Sequence, residues 1–342
     1  MLAAEYVKGQ GLEVTHLEAV SPGPGQVQIA VAFTGICGTD LHVIHGTMDS
    51  RVGARAVIGH EMSGRVASVG EGVDAFAVGD PVTVMPLLWC GKCATCLAGH
   101  QHICERLTFV GIDSAGSLQQ LWTVPQEIVI PLPEGLGLKE AALIEPVAVA
   151  HHDVTRGRIA AGENVVVVGG GPVGLLIAVV AAHKGADVVV VEPDAFRRSV
   201  IDGIGIAVVD PATTDAAALM APRNSGAGAD AVFEVSGSEP GLTLAMEVLR
   251  PRGRLIVVGI HPQPRQVDVK RIFWRELEIV GARVYERTDY DAAIELVHSG
   301  VIPAAALISK VVPLSAVTEA FAALAAGGSV MKVLIDVEGG DV

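Results

Sequence analysis

Residues 165–182, VVVVGGGPVGLLIAVVAA, constrain this chain more than any other stretch. The run carries no charge, and its length lies near the lower limit for crossing a bilayer. Four valines are broken at once by Gly169, Gly170, Gly171 and Pro172, and Lys184 and Asp187 follow closely. A buried strand, a tight turn and a buried helix are therefore expected, with no membrane partner. Gly169, Gly171 and Gly174 form G-x-G-x-x-G, with Pro172 suited to an early helical position and Val173 beside it. The first glycine permits the turn, the second lets backbone approach a pyrophosphate at the helix N-terminus, and the third lets helix and strand pack.

A second β-rich run, residues 187–191, ends at Glu192, at about the twenty-residue interval expected of a carboxylate that binds the ribose diol of a dinucleotide. NAD is expected over NADP, because a 2′-phosphate would meet that carboxylate, although Arg197 and Arg198 offset part of the repulsion. Residues 229–236 and 254–260 repeat the idiom of a short β-branched run and predict further parallel strands. Ligands of such sheets bind outside the carboxyl ends of the strands.

Five cysteines are an odd number, and the first ten residues lack the basic and apolar regions of a secretory signal, so metal ligation or catalysis is expected over a disulfide framework. A cytoplasmic location follows as the expectation. Cys90, Cys93, Cys96 and Cys104 are spaced C-x2-C-x2-C-x7-C, with Gly91 and Gly99 to let the loop fold. Four thiolates fill a tetrahedral Zn2+ site and leave no open position, which predicts a structural zinc; the spacing does not match ferredoxin runs. His100 and His102 are expected to be loop histidines. The fifth, Cys37, lies among glycine, hydroxyl, carboxylate and imidazole groups in GICGTDLH, and Gly59-His60-Glu61 follows downstream. That set suits an open, catalytic zinc better than apolar packing.

Residues 59–73, GHEMSGRVASVGEGV, fit G-H-E-x2-G-x5-G-x2-V at every specified position. Together with the four-cysteine lobe they make the chain similar, over essentially its whole length, to the zinc-containing medium-chain dehydrogenase/reductase family of alcohol, sorbitol and threonine dehydrogenases. The resemblance implies an α/β chain with a β-rich GroES-like catalytic domain at residues 1–148 and 285–342, and a Rossmann domain with a doubly wound parallel sheet at 149–284. It implies two Zn2+ per chain, a homo-oligomer (dimer or tetramer), and Cys37, His60 and Glu145 as inner ligands of the catalytic zinc. Glutamate followed by proline at 145–146 departs from the cysteine of the alcohol dehydrogenases and shifts the expected substrate toward polyols. Glu61 stays open as ligand or water-holding carboxylate: adjacent side chains of an extended segment face opposite ways, so His60 and Glu61 need a bend to share one ion. Arg197 matches an arginine near the adenosine, and Val258 and Gly259 match backbone contacts of the nicotinamide pocket.

The activity implied is oxidation of a secondary alcohol, a polyol, sugar-like compound or vicinal diol, to a ketone by zinc-dependent hydride transfer to NAD. Thr39 resembles the first relay hydroxyl for the released proton and His42 the next acceptor. Two other readings are a threonine-type amino-alcohol dehydrogenase, disfavoured by Val43-Ile-His-Gly46 where aromatic residues are usual, and a non-catalytic NAD-binding protein, which would not need the ligands. A formal charge of −14 argues against nucleic acid, whose backbone requires a cationic surface.

Overall fold

A computed structural model describes residues 1–215, 219, 226–327 and 329–339. Contacts divide the chain into two compact units: Met1–Glu145, Ala293–Gly300 and Ile308–Val342 form the first, and Pro146–Ala292 with Val301–Leu307 the second. The second junction thus runs through the helix Arg287–His298, eight residues beyond the 284/285 boundary that the family resemblance implied.

The first unit is built on a seven-stranded sheet, in the order Val129–Pro131, Pro81–Val84, Glu61–Val69, Gln26–Gly35, Lys332–Asp336 and Ile308–Pro313, with Leu121–Pro125 also on Gln26–Gly35. The pairing is antiparallel except between the last two of that order. The sheet is centred on Gln26–Gly35, in which Val27, Ile29 and Val31 are fully buried and Gln28, Ala32 and Thr34 are buried as well, so the strand is covered along most of its length. Glu61–Val69 lies so close to it that a Cβ on Gly64 would stand 2.3 Å from the Ala30 carbonyl oxygen. Between Gly64 and Ser63 the pairing shifts by one residue at Ala32, after which Gly35 stands opposite Glu61.

The second unit carries a six-stranded sheet in the order Ala207–Val209, Asp187–Val191, Asn164–Val168, Ala229–Glu234, Leu249–Val257 and Glu278–Gly281, every neighbour parallel. Chain order reverses between Asn164–Val168 and Ala229–Glu234, which is the switch point of a doubly wound sheet. The strands are valine-rich on both faces because helices cover both, and their side chains meet Leu242, Ala245 and Met246 in one core cluster. Helix Pro172–His183 is buried from Gly174 to Ala181, which explains why its sequence is apolar all round. Among the described residues no helix is long and apolar enough to cross a membrane.

Candidate metal centre and nucleotide site

Cys37 ends the central strand region and caps the short helix Gly38–Ile44: its Sγ accepts from the Thr39 amide at 3.5 Å, and Asp40 Oδ2 accepts from the Cys37 amide at 2.9 Å. His60 and Glu61 arrive from the strand beside it. Gly59, at φ +99°, supplies the bend that two neighbouring ligands require, and only glycine fits, with Thr34, Ser117 and Leu118 atoms 3.0–3.1 Å from where a Cβ would stand. As a result Cys37, His60 and Glu61 each place a ligand atom within 4.8 Å of the other two.

Two further groups complete this cluster. Asp40, fully buried, puts Oδ1 3.6 Å from His60 Nδ1, just beyond hydrogen-bond distance, and neither atom has a hydrogen-bond partner. Lys332, from the strand Lys332–Asp336, is buried, donates to the Ile36 carbonyl at 2.9 Å and pairs with the Glu61 carboxylate. Gly35 makes room for the pair, since a Cβ there would stand 2.3 Å from Glu61 Oε2 and 3.0 Å from Lys332 Cε. Glu145, in the first turn of helix Ile144–Arg156, is buried outside the 4.8 Å group, but its charge reaches His60.

Burial pulls the His60 imidazole down, yet the charges of Asp40, Cys37 and Glu145 outweigh it and push the group up to about 10. Lys332 shifts upward in the same way, with burial opposed by Glu61, Cys37 and Glu145. The surroundings demand positive charge. One thiol, one imidazole and carboxylates in such a field are the donor set of a catalytic zinc, so the residues fit the metal.

The second cysteine group is a separate lobe beyond the two-stranded pairing of Leu87–Leu88 with Thr108–Phe109. Cys90, Cys93, Cys96 and Cys104 are unpaired as disulfides and mutually within 4.8 Å, with Sγ separations of 3.8 Å for Cys93–Cys104 and 3.5 Å for Cys90–Cys104. These approach the ~3.8 Å edge of a tetrahedron with ~2.3 Å metal–sulfur bonds. Backbone amides aim at the sulfurs: Cys96 at Cys93, and Cys90 and Arg106 at Cys104. The Cys96 and Glu105 amides pull the Cys93 thiol down to about 6, while burial pushes Cys96 up to about 12. His100 and His102 stand outside the group.

In the second unit the glycine loop shows which positions are forced. A Cβ on Gly174 would stand 1.9 Å from the Gly169 carbonyl oxygen, one on Gly169 (φ +106°) 3.0 Å from the Ser236 amide, and one on Gly170 2.7 Å from Ile201. Gly171, which caps helix Pro172–His183, meets only Arg197 Nη1 at 3.6 Å, so its outer face is open to a ligand. Glu192 is buried at the end of Asp187–Val191, where it accepts from the Gly170 amide at 2.6 Å and the Asp194 amide at 2.7 Å.

Residues 23–134 match the alcohol dehydrogenase GroES-like domain, and residues 172–299 match the zinc-binding dehydrogenase domain. The 2-dehydro-3-deoxy-L-galactonate 5-dehydrogenase of Pseudoalteromonas atlantica is 46% identical over 336 residues, covering 98% of each chain. The chain belongs to the zinc-containing medium-chain dehydrogenase/reductase family. Among solved structures, the 2R,3R-butanediol dehydrogenase of Bacillus subtilis superposes with a TM-score of 0.89 at 30% identity, over 98% of this chain and 99% of that one. A zinc-binding dehydrogenase of Sinorhizobium meliloti 1021 bound to NADP reaches 0.92 at 29%, over 98% and 99%. This member of the family is an oxidoreductase that oxidises a secondary alcohol.

Within the dehydrogenase frame the anticipated residues fall in three places. Cys37, His60 and Glu61 converge, the four lobe cysteines converge, and Gly169, Gly171, Pro172, Val173 and Gly174 lead from strand to helix beside Glu192. Arg197 holds Nη1 4.0 Å from Glu192 Oε2. Thr39 and His42 lie one turn apart on Gly38–Ile44, both half-buried. Val258 and Gly259 both donate their amides to the Glu234 carbonyl, at 2.9 and 2.8 Å, so those N–H groups are already engaged. Asp40 and Lys332 were missed by sequence reasoning. The signal for Asp40 was an acid three residues after Cys37, where a capping box forms; that for Lys332 was a lone cation inside an apolar strand, MKVLID.

Proposed function

We propose that this dehydrogenase oxidises the secondary hydroxyl of a polyhydroxylated acid of the 2-dehydro-3-deoxy sugar acid class, with NAD as acceptor and two zinc ions per chain. The observation that carries the reading is the 46% identity, end to end, to a relative with that substrate, on top of the Cys37, His60 and Glu61 cluster. Cys37, His60 and Glu145, with Glu61 beside them, would hold the catalytic zinc; Cys90, Cys93, Cys96 and Cys104 would hold the structural one. Zinc in the first site supplies Lewis-acid polarisation of the substrate hydroxyl, which brings its pKa toward neutrality.

This chain's own residues then do the positioning. Asp40 faces His60 Nδ1 and fixes the ring so that the other nitrogen is the ligand. Lys332 holds the Glu61 carboxylate and balances its charge, which makes Glu145 the stronger choice of inner carboxylate and Glu61 the adjustable one. Thr39 relays the substrate's proton, accepting it as its own hydroxyl proton moves on, and His42 is the next acceptor on the way to solvent. On the nucleotide side, the open face of Gly171 and the first turn from Pro172 receive the pyrophosphate, Glu192 the adenosine ribose, and Arg197 and the Val258-Gly259 strand end flank the cofactor. NAD held there supplies the hydride acceptor.

We also read the chain as a cytoplasmic homo-oligomer. The strand Glu278–Gly281 is the edge of its sheet, with Ile279 exposed, and nearby Phe273 and Trp274 are about 70% exposed. A second copy covering that edge would bury them.

The test is spectrophotometric: formation of reduced nicotinamide with 2-dehydro-3-deoxy sugar acids, sorbitol, xylitol, 2,3-butanediol and L-threonine, each with NAD and NADP and after chelation. Chelator-sensitive turnover highest with the sugar acid and NAD supports the proposal. Turnover confined to threonine would replace the substrate class, and activity that survives complete removal of zinc would end the metal assignment.

A further inference from the structure

The two nicotinamide dinucleotides differ by one phosphate on the adenosine ribose, so the choice between them rests on the charges around the carboxylate that meets that ribose. Five charged side chains stand there: Glu192, Asp194, Arg197, Arg198 and Asp210, with the Asp194 carboxylate accepting from the Arg197 amide at the start of the helix. Strands Asp187–Val191 and Ala207–Val209 run parallel with Val191 opposite Val209, and the Glu192 amide donates to the Val209 carbonyl at 3.1 Å. Glu192 and Asp210 therefore leave the ends of adjacent strands side by side.

Arg198, on helix Ala195–Gly203, spans the two strand ends. Its Nη1 donates to the carbonyls of Glu192 at 2.9 Å and Pro193 at 2.6 Å, and its Nη2 lies 3.0 Å from Asp210 Oδ2. Asp210 is itself fixed, since its Oδ1 accepts from the Ala212 amide at 2.8 Å and its carbonyl accepts from the Thr213 and Thr214 amides. That turn keeps Arg198 in place.

We propose that Asp210 is a determinant of coenzyme choice: by holding Arg198 against the strand ends, it withholds the guanidinium that a 2′-phosphate at Glu192 would need. The inference rests on the NAD preference proposed above. A ribose phosphate brings nearly two negative charges to a place where Glu192, Asp194 and Asp210 already outnumber Arg197 and Arg198, and three of the five N–H donors of Arg198, including the one nearest Asp210, are already engaged. With Asp210 neutral, the same place sheds one negative charge, so that Glu192 and Asp194 are balanced by Arg197 and Arg198, and Arg198 Nη2 becomes available. Both partners of the ion pair are about a quarter exposed, so solvent screens the effect and its scale is that of one charge-assisted hydrogen bond, roughly tenfold in affinity.

The test uses zinc-loaded protein and equilibrium titration of NAD and NADP by calorimetry or intrinsic fluorescence, with turnover as a second readout. Asp210→Asn keeps an oxygen for the Ala212 amide while removing the charge; Asp210→Ser does the same with a shorter side chain and serves if the amide disturbs the turn. The ratio of the Kd for NADP to that for NAD should fall about tenfold, and the fall should vanish when Asp210→Asn is combined with Arg198→Gln. If the wild-type chain prefers NAD and neither Asp210 variant moves the ratio, the inference is overturned and the NAD reading stands. A gain that persists without Arg198 also overturns it. Equal wild-type affinity for the two dinucleotides removes the NAD reading and the inference with it.

Discussion

Replacing Asp153 by asparagine should make the protein more stable, and increasingly so as pH rises. Asp153 sits about two turns beyond Glu145 on helix Ile144–Arg156, has no exposed surface, and neither carboxylate oxygen has a hydrogen-bond partner. Burial pushes its carboxyl well above the usual range, and the charge of Asp289 pushes it further. Burial acts the same way on Asp289, but bonds to His151 Nδ1 at 2.7 Å and His152 Nδ1 at 2.8 Å, with the Glu286 amide, hold that carboxyl well below the usual range. One acid of the pair therefore keeps its proton in the folded chain while the other is ionised.

In the unfolded chain Asp153 titrates near ~3.9, so above that pH folding must take up a proton. A folded pKa raised above the unfolded one gives a contribution fully present below ~3.9 and lost at about 1.4 kcal/mol per pH unit until the folded pKa is reached, with a ceiling of about 4 kcal/mol at pH 7. The substitution Asp153→Asn would remove this linkage at the cost of burying an amide of similar size. In thermal unfolding the variant's advantage should grow by about 3–6 °C per pH unit above pH 4, taking ~2–4 °C per kcal/mol for a unit of this size. A difference that is flat from pH 4 to 8, or that grows in favour of the wild type, would refute the argument, since it would mean that Asp153 is ionised and compensated.

Three further outcomes are expected. Metal analysis should find two zinc ions per chain, and Cys93→Ser should remove one of them and lower the unfolding temperature while leaving the Cys37 cluster its own ion. Asp40→Asn should weaken retention of the other zinc about 10–100-fold, measured by chelator competition, because His60 loses its orienting carboxylate; unchanged retention would mean that the 3.6 Å approach has no consequence. Gly174→Ala should abolish NAD binding or folding of the second unit, since its Cβ would stand 1.9 Å from the Gly169 carbonyl oxygen, whereas Gly171→Ala should fold normally and lose NAD affinity alone.

The residues that chemistry fixes in type and spacing are legible in the sequence itself. Four cysteines within one loop can close on a metal because their separation is local, and G-x-G-x-x-G between a valine run and an apolar helix can hardly form anything but a strand, turn and helix. Cys37 and His60 stood out because thiol and imidazole flanked by glycine are poor core residues. The sequence could not determine which way Glu61 faces: that depended on the Gly59 bend and on a buried lysine near the other end of the chain, Lys332, whose strand pairs next to Gln26–Gly35 only in the folded sheet. Nor could it show that Arg198 is held rather than available, since Asp210 reaches it only through the parallel pairing of two strands. Local spacing determined which groups this protein carries, because ligands and turns are short-range; tertiary structure alone decided which charges are paired and which are left for a ligand, because pairing is settled by sheet neighbours far apart in the chain.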